Sequence, residues 1–195
     1  MVVTFAQSAF PPLALGFFGL GTGYLIYGPQ ELLGWPHKDE RTDRALGVWG
    51  IWMPGFCQLV TGVILFVGLT WLQVFTASPI LYMAALAFSA YGIHWLALGW
   101  NRYRGNDSRT NAGMSVAFMV LSALGATVFF DGGDWPVGLL FLGLFAVYFF
   151  DFFLAVGATV AERALGLVRV LVGAWLMYLT FAVAVDFALG WTWRT

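Results

Sequence analysis

The sequence has little charge and few residues that could bind a metal. Only 10% of its 195 residues are Asp, Glu, Lys or Arg, against about 25% in an ordinary soluble domain. It contains one cysteine, Cys57, and two histidines, His37 and His94, which lie far apart in the chain. A single cysteine excludes an internal disulfide, and the two histidines give no zinc-ligand spacing. We therefore expect no metal site and no cofactor.

Catalytic motifs are also missing from the sequence. It has no HExxH, no P-loop, no glycine-rich dinucleotide motif followed by an acidic residue, and no recognisable Ser/His/Asp arrangement. The net charge of −1 gives no electrostatic basis for binding nucleic acid. The sequence thus predicts a protein that is not an enzyme and that has no nucleic-acid partner.

Hydrophobic residues make up 61% of the chain and fall into six long apolar segments. About 20 apolar residues suffice to cross a bilayer as a helix. The segments predict one all-α integral membrane domain over residues 1–195, a bundle of six transmembrane helices embedded in the lipid bilayer. We place the helices near residues 13–32, 45–71, 79–99, 112–130, 135–156 and 165–190.

Basic residues are sorted between the connecting segments. Eight of the nine Lys and Arg residues lie between segments one and two, three and four, or five and six, or just inside segment six, whereas Arg194 lies at the C-terminus. Loops rich in Lys and Arg stay in the cytoplasm. The distribution predicts a multi-pass protein of the cell (inner) membrane with both termini outside the cytoplasm.

The third segment carries an unusual group of polar and aromatic residues: Ser89, Tyr91, Gly92, His94 and Trp95. Polar groups at membrane depth need partners or water. Tyr91 and Trp95 are four residues apart, and therefore share one face of a helix. We interpret this helix as the lining of a narrow aromatic conduit. The alternative is a tightly packed helix whose polar groups are satisfied by neighbouring helices.

Three other features lie within apolar segments. The Gln58 amide can donate and accept hydrogen bonds, which suits a carboxyl group or an interhelical contact. Asp151, flanked by phenylalanines, is a candidate proton site, a partner for His94, or a residue of the cytoplasmic mouth. Pro54 predicts a kink or a broken helix in segment two, and Glu31 is expected at the membrane interface.

Three stretches resemble the acetate transporter family (AceTr), the six-helix acetate/succinate transporters of the YaaH type. They are residues 12–19 (PLALGFFG), 54–62 (PGFCQLVTG) and 88–95 (FSAYGIHW). The chain departs from the family pattern at Ala9 and Phe10, which replace an Asn-Pro pair. It also departs at His94, which replaces an aromatic residue.

The resemblance implies a channel or transporter for small monocarboxylates, acetate or succinate, that assembles as a homo-oligomeric ring of six protomers. It implies a pore constriction formed by Phe18 and Tyr91. We expect segments one to three to line the pore. The candidate substrate contacts are Gln58, Ser89, Tyr91 and Trp95; His94 is the candidate for pH response and, with Asp151, for proton binding.

Two other functions remain open from the sequence. A channel for a small neutral solute such as urea, a short amide or ammonia, of the UreI/AmiS type, would use the same aromatic conduit. In a membrane scaffold without transport activity, every polar residue named above would serve only packing. Flux of acetate and urea into liposomes distinguishes the three.

Overall fold

A computed structural model describes residues 9–190, and within that range the chain forms helices and no strands. The helices are α1 (Phe10–Leu33), α2 (Glu40–Gly50), α3 (Cys57–Thr70), α4 (Leu81–Arg104), α5 (Asn111–Asp131), α6 (Trp135–Ala155) and α7 (Ala161–Leu189). A π-helical stretch, Ile51–Phe56, joins α2 and α3 into one continuous span, Glu40–Thr70. Pro54 lies inside this stretch, so the proline widens the helix there without breaking it.

Five helices of the described part are long and apolar enough to cross a membrane: the α2–α3 span, α4, α5, α6 and α7. The glycine-rich α1 has 24 residues, the same number as α4. At about 1.5 Å per residue it is longer than the roughly 30 Å of hydrocarbon in a bilayer. The predicted all-helical, multi-pass membrane fold is confirmed.

Each of the six predicted segments overlaps one observed helical stretch, but three helices, α2, α4 and α7, extend further into the charged loops than predicted. Helix α2 begins at Glu40 because the Asp39 side chain caps it, accepting a hydrogen bond from the Thr42 amide at 2.7 Å. This hydrogen bond lowers the pKa of the Asp39 carboxyl. Helix α4 continues to Arg104, and Gly105 ends it in the left-handed conformation with φ 68°.

The spans are arranged as a ring. Going around it, α1 packs on the α2–α3 span, that span on α4, α4 lightly on α5, α5 on α6, α6 on α7, and α7 extensively on α1. In this order α1, α4 and α6 alternate with the other three spans, and each packs mainly on its ring neighbours. The middle of the ring is therefore filled by side chains.

Glycines allow α3 and α4 to touch along their backbones. A Cβ added at Gly92 would lie 2.5 Å from the Leu59 amide nitrogen, and one at Gly62 would lie 2.6 Å from that of Ser89. Such close approach between spans is typical of small residues at helix interfaces in membranes. It fixes the depth of Ser89 and its neighbours on α4 relative to Gln58 on α3.

Candidate functional site

Aromatic side chains from four helices meet in the middle of the ring. We call Tyr24 and Tyr27 of α1, Tyr91 and Trp95 of α4, Phe118 of α5 and Tyr148 of α6 the aromatic cluster. The ring centroids of Trp95 and Tyr27 are 5.1 Å apart, and those of Trp95 and Tyr24 are 5.8 Å apart. Tyr91 stacks on Tyr148 at 5.7 Å. Side chains thus bridge α1, α4 and α6 across the centre.

The phenol of Tyr91 has a fixed partner in this cluster. Its oxygen lies 2.8 Å from Oγ of Ser122 on α5. Because the Ser122 hydroxyl donates to the carbonyl of Phe118 at 2.7 Å, the Tyr91 hydroxyl donates to Ser122. Tyr91 is buried, and this hydrogen bond holds its ring against Tyr148.

His94 lies at the edge of the aromatic cluster and is half-buried. Its ring is 4.9 Å from that of Phe118 and 5.6 Å from that of Tyr148. The sequence left a His94–Asp151 pair as one option; the structure gives Asp151 other partners, described below. His94 also lines an open cleft between α4 and α5.

Several buried polar atoms of α3 and α4 have no hydrogen-bond partner within the described residues. They are both amide atoms of Gln58, Oγ of Ser89 and Nε1 of Trp95. Gln58 is 0% exposed. A buried polar group without a partner destabilises a fold by about 1–3 kcal/mol, so such groups point to a bound molecule or water. Three of the four predicted substrate contacts, Gln58, Ser89 and Trp95, carry buried polar atoms of this kind.

Phe18, by contrast, is 45% exposed on the outer face of α1. The neighbouring residue Phe17 is the buried one, and its ring lies 5.5 Å from that of Phe88 on α4. The sequence motif alone does not distinguish the two, because their side chains lie about 100° apart around a helix.

A second buried group, the charge cluster, joins three helices: Glu31 of α1, Asp151 of α6 and Arg169 of α7. Nη1 of Arg169 donates to Oε1 of Glu31, and Nη2 lies 3.7 Å from Oδ1 of Asp151. Ser115 of α5 donates to the other oxygen of Asp151 at 2.6 Å. All four side chains are buried, so Glu31, two residues before the end of α1, faces partner helices and not solvent.

The charge cluster adjoins the aromatic cluster. The Arg169 guanidinium carbon is 5.8 Å from the centre of the Tyr27 ring and 5.9 Å from that of Trp95. Nε of Arg169 and Oε2 of Glu31 are buried and unpaired among the described residues. Sequence reasoning used Arg169 only to orient the chain. The available signal was an arginine inside an apolar segment, which at membrane depth is by default a functional candidate.

A polar layer beyond the charge cluster closes the same end of the ring. Arg102 of α4 pairs with Asp43 of α2 at 2.8 Å, and Gln30 of α1 donates to Asp43 at 3.0 Å. The Tyr27 hydroxyl donates to the Leu46 carbonyl at 2.9 Å. The loops 34–39, 105–107 and 156–160 lie at this end. These contacts tie α1, α2 and α4 together.

Within residues 9–190, no group of three or more His, Cys, Asp and Glu side chains is placed to hold a metal ion.

Comparison with solved structures identifies a neighbour with the same architecture. The bacterial acetate channel SatP superposes with a TM-score of 0.76, over 94% of this chain and 97% of that one, at 15% sequence identity. No protein-family model matches the sequence, and no curated protein does. The sequence resemblance to acetate transporters is thus confirmed at the level of the fold: the chain has the fold of an acetate channel.

Proposed function

We propose that this protein is a membrane channel or transporter for small monocarboxylates, acetate first and succinate second. The carrying observation is the centre of the ring. In a fold shared with an acetate channel, the middle is filled by aromatic side chains. Buried polar atoms of Gln58, Ser89 and Trp95, on α3 and α4, have no hydrogen-bond partner among the described residues. These N–H and O–H groups suit a carboxyl group, which both donates and accepts when protonated.

The proposed path runs along the ring axis and narrows at the aromatic cluster. Tyr91, held by Ser122 and stacked on Tyr148, forms the constriction in this proposal. An aromatic constriction excludes hydrated ions, which would have to shed water, and lets a small, weakly hydrated acid pass. Phe18 remains a prediction for the constriction. Its side chain lies on the outer face of α1, so it would reach a path only where two protomers touch.

Lining residues come from more spans than the first three. Gln58, Ser89 and Tyr91 belong to segments two and three, as expected, whereas Phe118, Tyr148 and Arg169 add segments four, five and six. Asp151 and His94 remain the candidate proton sites. Asp151 is one of two carboxylates facing a single guanidinium in the charge cluster.

The charge cluster also supports a second candidate, a channel for a neutral solute such as urea or a short amide. Two carboxylates against one guanidinium leave no net positive charge to attract a free anion. The undissociated acid is itself a neutral solute, so the same observation favours it over the carboxylate anion.

As a non-enzymatic transporter the protein would act as a ring of six protomers in the inner membrane with both termini outside. This assembly and orientation rest on the sequence resemblance and on the basic loops; the termini and Arg194 lie outside the described residues.

Flux into liposomes tests the proposal. Purified protein should accelerate entry of labelled acetate and leave labelled urea at the rate of empty vesicles. Tyr91→Ala should raise acetate flux and admit larger acids, because it widens the constriction. The matched control is Tyr82→Ala, which removes an exposed tyrosine from the same helix and should leave flux unchanged.

Each other outcome assigns a different function. Urea entry without acetate entry would replace the proposal by the neutral-solute channel. If neither acetate nor urea enters, although the protein is folded and inserted, the protein would be a membrane scaffold without transport activity. Loss of acetate flux in Tyr91→Ala, with folding intact, would make Tyr91 a binding residue and not a constriction.

A further inference from the structure

The cleft between α4 and α5 opens sideways, at the place where the ring of spans is most loosely closed. It encloses about 400 Å³. Ile93, on its rim, is 59% exposed. We call it the lateral cleft. In a chain whose helices cross a membrane, an opening at this level faces the bilayer or a neighbouring chain, and not an aqueous compartment.

The lining of the lateral cleft changes from apolar to polar along its length. The end farther from loop 105–107 is formed by Ala90 and Ile93 of α4 and by Met114 and Phe118 of α5, whereas Asn101 and Asn111 line the end near that loop. Residues 90 to 101 span about 16 Å at 1.5 Å per residue. That is about half of the 30 Å hydrocarbon thickness. The cleft is therefore as long as one leaflet is thick.

An arginine side chain, that of Arg104, lies just beyond the polar end of the lateral cleft. The cleft-lining residues of α4 recur at helical spacing, and Arg104 comes one turn after Asn101 on the same face. Arg104 is exposed and makes no ion pair within the described residues; its guanidinium lies 5.9 Å from the ring of Trp100. Its neighbour in the loop, Arg109, is already paired with Asp107.

We propose that the lateral cleft binds one anionic phospholipid of the leaflet at this end of the protein. The acyl chain lies along the apolar wall, and the phosphate meets Asn101, Asn111 and the free guanidinium of Arg104. Apolar burial and charge complementarity both match this occupant, since basic residues at a membrane surface attract anionic lipids. The end of the acyl chain reaches His94 and Phe118. Both residues contact Tyr148, so the lipid borders the aromatic cluster.

The test measures lipid retained by the purified protein. Wild-type protein is reconstituted in an equal mixture of phosphatidylglycerol and phosphatidylcholine, extracted in mild detergent, and its bound lipids are counted by native mass spectrometry. Wild type should retain phosphatidylglycerol in preference. Ala97→Phe, which fills the cleft, should reduce retention of both lipids at least tenfold. Arg104→Gln should reduce the preference for phosphatidylglycerol about fivefold, as expected for one arginine at the surface.

Two control variants match these changes in size and charge. Val120→Phe adds the same ring to an exposed position of α5 that does not line the cleft, and Arg163→Gln removes an exposed arginine from α7. Both should behave as wild type. Equal retention of the two lipids by wild type would overturn the proposal, as would unchanged retention in Ala97→Phe. A smaller oligomer of Ala97→Phe with unchanged lipid would show instead that the cleft is a contact between copies of the chain.

Discussion

The charge cluster and the centre of the ring are both buried, but their polar side chains are satisfied differently. In the charge cluster, Glu31, Asp151 and Arg169 each have an ionic partner from another helix. The side chains of Gln58 on α3 and Ser89 on α4 have none among the described residues. Partnered buried charges hold helices together, whereas unpartnered buried groups are available to a ligand. The ion pairs therefore give the charge cluster a supporting role, although Nε of Arg169 and Oε2 of Glu31 are also unpaired there among the described residues; substrate contact by Gln58 and Ser89 is our proposal.

The largest effect is expected from Arg169→Met. It leaves two carboxylates buried without their cation, which destabilises a protein by about 3–5 kcal/mol. When the purified variant is heated in detergent, its unfolding temperature should lie far below that of wild type. Arg163→Met is the control, because it removes an exposed arginine from the same helix. Equal unfolding temperatures for the two variants would contradict a supporting role for the charge cluster.

Gln58→Leu should do the opposite, sparing stability and impairing transport. The wild-type amide has no hydrogen-bond partner among the described residues, so its replacement by an apolar side chain should leave the unfolding temperature nearly unchanged. Acetate flux should fall about tenfold, the effect of losing roughly 1.4 kcal/mol of substrate interaction.

Thr61→Val provides the contrast one helical turn away. The Thr61 hydroxyl donates to the carbonyls of Pro12 and Cys57 at 2.8 and 2.9 Å, so this variant should lose stability and keep flux. If Gln58→Leu lowered the unfolding temperature as Thr61→Val does, Gln58 would belong with the supporting residues.

Tyr91→Phe tests a residue that has a hydrogen-bond partner, Ser122, and also belongs to the proposed constriction. Losing the hydrogen bond to Ser122 should destabilise the protein by about 1 kcal/mol. The freed ring should then raise acetate flux modestly. Ser122→Ala removes the same bond from the other side, so the stability effects of the two single changes should not add in the double variant. Additive effects would mean that the bond is not formed.

The smallest effect is expected from His94→Phe. An imidazole in water changes charge near neutral pH, and His94 touches the aromatic cluster without a hydrogen-bond partner among the described residues. Acetate flux is measured from pH 5 to 8 and corrected for the fraction of undissociated acid. If His94 takes up a proton in this range, the corrected profile of wild type varies with pH and that of the variant is flat. Coincident corrected profiles would make His94 a packing residue.

Much of the site was visible in the sequence because polar residues are conspicuous among apolar ones. Gln58, Tyr91 and Trp95 were singled out on that basis, and all three are buried. Phe118 and Tyr148 were missed, since a lone aromatic residue in an apolar segment looks the same whether it faces the centre or lipid. Glu31 and Arg169 were named, but not as partners, because 138 residues separate them in the chain.

The sequence by itself determined that this is a helical, multi-pass membrane protein, because the length and apolar character of each span are local properties. It also determined which end carries the basic loops. Only the tertiary structure decided which face of each helix points to the centre and which buried polar atoms lack a partner. Those properties depend on how the helices pack, and a change of one residue in helical phase turns a side chain by about 100°. That is why Phe17 is buried and Phe18 is exposed.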